Sequence, residues 1–570
     1  MALPERHATI LGIDYHCVRP AVTGLRLNGM GIDDRAGMMG TWYRPLLVTA
    51  SVMLMALVVA RSQLVAFTFD EVGAPVFAES FDWNRITESA AVHLLNALFT
   101  SWIKRAGFDS ELAMRLPNTL SFVAYLVAAI DLGRGLKRPL ALLQFVLLTL
   151  NPFLLDFFSL ARGYGLGLAA MLPSIALAVR YLKTDRMSWC IASLLSGMLS
   201  VVANYAMLNF FIPLLLVLLM ITGHNGRQRG IRATLVRGSI PASLALAFFA
   251  ALLPVLFDLK EGGHFYFGGR WDLYSDTIAS LGRCFGYHSR QSSAASVVFQ
   301  VVFAWAILWS LWRTWTTVRA RALAPASVMA GVLVLSLLSA LSQFVLMGTP
   351  YPVERTALLY CPLVALCAAH GLAECSWRWT RVPALLTGSA FLLHFATTVN
   401  FDSTYSWRFD SGNREVVDLV RERYPGRVRL GICYEYAPAI WHYRGIHHYD
   451  DLMVTNLSEC WEYCVGLEEL DPRYYGQRCK RSGMDGDAMR EFLRPGEFDL
   501  YYLDLFFLEA MDRSGVRYEV LLRHDRSRSA LVRLTGPVLV QRTPLPLAIT
   551  SEGRTNTSLP TASSAINTIP

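Results

Sequence analysis

Long apolar runs separated by short loops rich in Arg and Lys fill the first 400 residues, and no other feature constrains the chain as much. About 20 consecutive apolar residues, at roughly 1.5 Å rise each, cross the roughly 30 Å hydrocarbon layer of a bilayer. Runs of that length place the chain in a membrane. Of 570 residues, 54% are hydrophobic and 17% charged. Soluble domains carry about a quarter charged residues, so a water-soluble enzyme, a disordered chain and a coiled coil are all excluded.

The net charge of +8, from 52 Lys and Arg against 44 Asp and Glu, would suit nucleic acid only if the basic residues formed a patch. They sit instead in short loops: Arg134, Lys137 and Arg138; Lys183 and Arg186; Arg227, Arg229, Arg232 and Arg237; Arg313, Arg319 and Arg321; Arg378 and Arg381. Alternate loops are poor in them, which is the positive-inside asymmetry, and no nucleic-acid partner is expected. Placing the basic loops in the cytoplasm predicts about eleven spans, near 43–66, 118–134, 139–157, 162–182, 187–203, 205–222, 238–257, 295–312, 325–347, 354–373 and 382–400. The expected setting is a bacterial inner (plasma) membrane, with a cytoplasmic N-terminal segment (1–42) and a periplasmic or extracellular C-terminus. Arg6, Arg19, Arg26 and Arg35 precede the first run without an apolar core, so a cleaved signal peptide is not expected. The clean run Leu46–Ala60 is too short to span, which extends the first helix past Arg61 and requires that side chain to snorkel or to face a protein cavity.

Two long loops, 67–117 and 258–294, face outward in this scheme, and long loops are usually functional. The first contains HLLNALFTSWIKRAG, whose apolar residues fall at helical spacing and suit a helix lying on the membrane surface. Beyond 401 the hydropathy falls. Strand-like VRLGIC, FDLYYLDL, YEVLL and ALVRL alternate with helix-like NREVVDLVRER and DAMREFL. The expected fold is therefore an all-α polytopic membrane domain (43–400), a small exoplasmic α/β domain (401–544) and a disordered tail (545–570). Cys433, Cys460, Cys464 and Cys479 lie in that exoplasmic domain, where oxidation to disulfides is open to them and so is burial as thiols.

Charge is costly at the edge of an apolar run unless it is hydrated, paired or used. FTFDEVG puts Asp70 and Glu71 directly after the first span; a solvated loop is the bland alternative to a general base. RLPN (115–118) and NPFLLDFFSLARGYGLGLA place Asp156, Arg162 and Tyr164 at span ends, where Arg162 suits a phosphate and a mutual Asp156–Arg162 pair is the structural alternative. GTPYPVERTALLYCPL adds Glu354 and Arg355, the latter a phosphate ligand or a helix-end anchor. All three sets converge on one face of the membrane. An acid with cations beside it suits glycosyl transfer from a lipid phosphate: a hydroxyl attacks the anomeric carbon, the acid takes its proton, and Arg stabilises the departing phosphate.

The order of these motifs resembles the GT-C class of polyprenyl-phosphate-sugar glycosyltransferases, within it the bacterial branch of protein O-mannosyltransferases, lipid A aminoarabinose transferases and lipopolysaccharide-core galacturonosyltransferases. The resemblance covers about 43–400 and is densest from Asp70 to Leu168. It implies Asp70 as base with Glu71 as its neighbour, and Arg162 and Arg355 at the donor phosphate; Tyr164 stands beside Arg162 as a further donor-phosphate candidate, and His93, Asn96 and Trp271 are the acceptor candidates. Where many relatives have His followed by two prolines, AVHLLN has His93 and neither proline. Tyr266, Trp271 and Tyr274 stack on a sugar or belong to the interfacial aromatic belt. The implied partners are a polyprenyl-phosphate-linked sugar, an envelope lipid, glycan or protein acceptor, and the bilayer. A divalent cation, Mg or Mn, is left open as cofactor; the His442, His447, His448, Asp450 and Asp451 cluster lacks a metal-ligand spacing. A glycan polymerase or ligase and a secondary transporter are the rival readings.

Overall fold

In a computed structural model of the chain, residues 37–72, 93–227, 229–264, 267–287, 293–457, 489 and 492–536 are described. The 545–570 tail, Tyr266, Cys460, Cys464, Cys479 and four of the seven residues of DAMREFL lie outside them. One compact unit ends at Thr49 and another begins at Ala50; the sites below belong to the second.

Seven helices among the described residues are long and apolar enough to cross a membrane: Tyr43–Leu64, Glu111–Gly133, Gly163–Thr184, Tyr205–Gly226, Ile231–Glu261, Ala294–Ala320 and Pro325–Met347. Arg138–Thr149 and Met187–Ala203 are shorter apolar helices, and Tyr360–Glu374 and Trp377–Thr398 complete the series. The run read as one span over 139–157 breaks after Thr149. Asn151 caps a new five-residue helix, Pro152–Asp156, by accepting the Leu154 N–H at 3.3 Å, and Pro152 sits at its first turn, where a missing N–H costs nothing.

Glu111–Gly133 shows how these helices divide their surface. Leu116, Leu120, Val123 and Val127 form an exposed stripe at helical spacing, while Asn118, Thr119, Phe122, Tyr125 and Leu126 are buried in protein. An apolar exposed stripe over a mixed buried face is the pattern of a helix in lipid. The helix Leu94–Arg105 likewise buries Asn96, Ala97, Thr100 and Ser101 and leaves Trp102 exposed.

The C-terminal part is a five-stranded sheet in the order β2-β1-β3-β5-β4. Its strands are β1 (Val428–Ile432), β2 (Leu452–Asn456), β3 (Leu500–Asp504), β4 (Tyr518–His524) and β5 (Ser529–Leu534). β1 pairs in parallel with β2 and β3, and β5 runs antiparallel to β3 and β4. Four of these strands match the segments expected from sequence; β2 is additional. The helices Asn413–Arg423, Ala437–Ile446 and Leu505–Arg513 accompany it. The core of this sheet does not close on itself: Ala66, Phe67 and Val72, which follow the first helix, and Met114, in Glu111–Gly133, pack into the same cluster as Val417, Leu430, Tyr443 and Tyr502.

Candidate active site

The site begins where the first membrane helix ends at Leu64. Thr68 opens a helical turn, and Glu71 reaches back to it, accepting the Thr68 backbone N–H at 2.9 Å and its hydroxyl at 3.0 Å. This is the glutamate half of a Thr-x-x-Glu cap, present in FTFDEVG as Thr68 to Glu71, while the Glu71 N–H donates to the Thr68 carbonyl at 3.0 Å. Adjacent residues on a helical turn point about 100° apart. Glu71 is accordingly 0% exposed, whereas the Asp70 carboxylate is 19% exposed.

Glu71 is saturated. Arg115 donates Nε to Oε1 at 2.8 Å and Nη2 to Oε2 at 2.7 Å, and the Ala161 N–H donates to Oε1 at 2.6 Å. Burial pushes this carboxyl up, but Arg115 and the hydrogen bonds outweigh it and hold Glu71 below the ordinary carboxylate value. The remaining donors of Arg115 take the carbonyls of Ser62, Val65 and Ala66. RLPN is thus a structural device: Arg115 fixes the turn, and Asn118 donates to Asn96 at 2.7 Å and accepts the Leu166 N–H at 3.2 Å. Asn96 in turn donates to the Ala161 carbonyl at 2.7 Å, so its amide braces the helices.

Arg162 follows Ala161 directly and stands at the N-cap of Gly163–Thr184, 3% exposed. Its Nη2 lies 3.1 Å from Asp70 Oδ2, and its Nη1 donates to the Asp70 carbonyl at 2.8 Å. Arg355, in the 3-10 turn Glu354–Ala357, places Nη1 3.6 Å from the same Oδ2. The Trp407 ring lies against both guanidinium groups, 5.8 Å from Arg162 Cζ and 5.3 Å from Arg355 Cζ, and Phe267 lies 4.3 Å from Arg355 Cζ. His93 packs edge-on against Tyr164 at 4.8 Å, with its Nε2 buried and lacking a hydrogen-bond partner. Burial, then the charges of Arg162 and Arg355, hold this imidazole well below its ordinary value, so it is neutral. Gly163 makes the approach feasible, because a Cβ there would stand 2.6 Å from His93 Cβ and 2.0 Å from the Ala203 carbonyl.

The structure therefore gathers Asp70, Glu71, His93, Arg162, Tyr164 and Arg355, and engages Asn96 as a brace. Trp271 is 78% exposed, and its backbone N–H donates to Asp276 at 2.8 Å. The Asp156–Arg162 pairing is corrected: Asp156 accepts from Arg61, from the Tyr287 hydroxyl at 2.7 Å and from the Tyr405 N–H at 2.9 Å, while Arg162 goes to Asp70. Arg61 does not snorkel; it is 3% exposed and also donates to the Asn400 and Ser403 carbonyls. Sequence reasoning missed Trp407, Phe267, Asp410 and Tyr443; the Thr68–Glu71 cap was available as a signal for the orientation of Asp70.

Mg and Mn require several oxygen ligands. Asp70 faces two guanidinium groups and Glu71 is committed to Arg115, so this donor set does not fit a divalent cation. Among the described residues, no group of three or more His, Cys, Asp or Glu gathers elsewhere to hold one.

No family profile and no curated protein matches the chain. Among solved structures it is similar to ArnT from Cupriavidus metallidurans in the apo state, with a TM-score of 0.49 and 13% identity over 88% of this chain and 100% of that one. It is similar to the same protein bound to undecaprenyl phosphate, with a TM-score of 0.49 and 12% identity over 87% and 99%. Arabinosyltransferase EmbB from Mycobacterium smegmatis has a TM-score of 0.36 and 13% identity over 57% of this chain and 30% of its own length.

Proposed function

We propose that the chain is an integral membrane glycosyltransferase. It moves a sugar from a polyprenyl-phosphate donor to an envelope lipid, glycan or protein on the outer face of the membrane. The observation that carries this reading is the shared contact of Asp70 Oδ2 with Arg162 and Arg355, 3.1 and 3.6 Å away. Two buried or half-buried guanidinium groups meeting one partly accessible carboxylate form a site for an anion beside a proton acceptor.

In the proposed step the acceptor hydroxyl attacks the anomeric carbon and passes its proton to Asp70. The bond from that carbon to the phosphate oxygen breaks, and polyprenyl phosphate leaves with one more negative charge. Arg162 and Arg355 stabilise that charge more in the transition state than in the bound donor. The donor phosphate also takes over the two guanidinium groups from Asp70, releasing the carboxylate towards the hydroxyl. Of the two adjacent acids Glu71 is saturated and Asp70 is available, which suits one displacement with inversion rather than Glu71 acting as a nucleophile. The basic loops assign the opposite face to the cytoplasm and the 401–544 segment to the exoplasm.

The test is sugar transfer by the purified full-length chain from a synthetic polyprenyl-phosphate sugar. Asp70→Asn should lower kcat by about 10²–10⁴-fold, the usual contribution of a positioned base, with the fold intact. Parental activity in that variant would end the assignment.

A further inference from the structure

The turn that carries Asp70 is held from two directions. From the membrane domain, Arg115 takes the carbonyls of Ser62, Val65 and Ala66, just ahead of the turn, and Glu71 within it. From the C-terminal domain, Tyr443 accepts the Phe67 N–H at 2.8 Å while donating to Glu111 at 2.9 Å. Asp410, in the 3-10 turn Arg408–Gly412, accepts the Phe69 N–H at 2.7 Å. Asp410 is 1% exposed, and its other oxygen accepts from Asn413 Nδ2 at 2.8 Å. The same stretch of chain presents Trp407 to Arg162 and Arg355. Residues 407–410 therefore touch the acid's backbone support and both cations of the site.

We propose that Asp410 is a positioning residue for the transfer step, which through the Phe69 N–H fixes where the neighbouring Asp70 carboxylate points. The inference rests on the reading of Asp70 as base. Structural cement alone would not need a carboxyl group here. A buried acid beside Asp70 and Glu71 is unfavourable, and a hydrophobic side chain in its place would leave the Phe69 N–H without its acceptor. Burial, opposed by the Phe69 N–H and reinforced by the charge of Asp70, lifts Asp410 well above the usual carboxylate range and favours its neutral form. Asparagine is a near-isosteric copy of that form and retains an acceptor for Phe69. Asn413 Oδ1 lacks a partner, so a flip of its amide would meet the new NH2 group.

The experiment compares Asp410→Ala, Asp410→Asn and Asp70→Asn in the purified full-length protein, with kcat and donor KM measured separately. Asp410→Ala should lower kcat by about 10–100-fold, with donor KM changed less than about twofold, because misplacing a catalytic group by about 1 Å costs up to that much. Asp410→Asn should stay within about threefold of the parent. Deuterium uptake over residues 65–72 should rise in the Ala variant and not in the Asn variant. Should Asp410→Ala fail to fold, Asp410→Ser, with a shorter acceptor, carries the same comparison. Parental kcat in Asp410→Ala, a loss confined to KM, or an Asn variant as slow as the Ala variant would each overturn the proposal. If Asp70→Asn is inert while Asp410→Ala is normal, only this inference fails; if Asp70→Asn transfers sugar normally, the reading of the site fails with it.

Discussion

Arg115 grips Glu71 through two parallel hydrogen bonds, 2.8 and 2.7 Å long, with both side chains 0% exposed. Removing one partner of such a pair leaves an uncompensated buried charge and costs about 3–5 kcal/mol. Arg115→Ala should therefore reduce stability by that order, read as loss of the monodisperse peak in detergent and a lower melting temperature. The pH dependence has a definite sign. Glu71 is held below its ordinary value of 4.5, so its contribution is complete above that pH and is lost as pH falls through the lower folded value. Melting below about pH 4.5 should lose this component in Glu71→Gln.

His93 gives the second prediction. Its neutral state in the fold means that acid penalises folding: below about 6.5 the unfolded chain binds a proton that the native imidazole refuses. Stability from this group is present above that pH and declines below it. The rate of transfer should show no limb near pH 6.5 that disappears in His93→Gln, and such a limb would contradict the neutral assignment.

The two arginines should not be equivalent. Arg162 is closer to Asp70, more buried and bonded to its backbone as well, while Arg355 is half-buried and 3.6 Å away. Arg162→Ala should lower kcat/KM for the donor by about 1.5–3 kcal/mol, the range for hydrogen bonds to charged groups, and Arg355→Ala by less. Initial rates of transfer at varied donor concentration measure both.

Gly163→Ala should damage the site without altering any polar group, since its Cβ would stand 2.0 Å from the Ala203 carbonyl and displace Arg162 next to it. Gly238→Ala, in Ile231–Glu261, meets nothing within 4 Å and should leave yield and activity unchanged. Equal activity of the two variants would show that the close approach is dispensable.

Asp70, Arg162 and Arg355 were legible in the sequence because each is a charge at the edge of an apolar run, where its cost demands a reason. The partners that orient them were not. Asp156 and Arg162 stand six positions apart and invite pairing, yet Arg61, from another helix, takes Asp156. The break at Asn151–Pro152 was written in residues that cap helices, but an apolar count over 139–157 passes across it. Asp410 and Tyr443 lie in a segment whose alternating pattern announces a separate small domain. No periodicity tells which of its polar side chains turn back towards the first helix.

The support of the Phe67–Glu71 turn carries a consequence for biosynthesis. Tyr443 follows Phe67 by 376 residues. At about 5–20 residues per second the ribosome needs roughly 20–75 s to supply it. Throughout that interval the nascent acid loop lacks its outer clasp, so newly inserted chains should remain inert until translation has passed the sheet. Stop codons ahead of residue 410 should release inserted but inactive polypeptides.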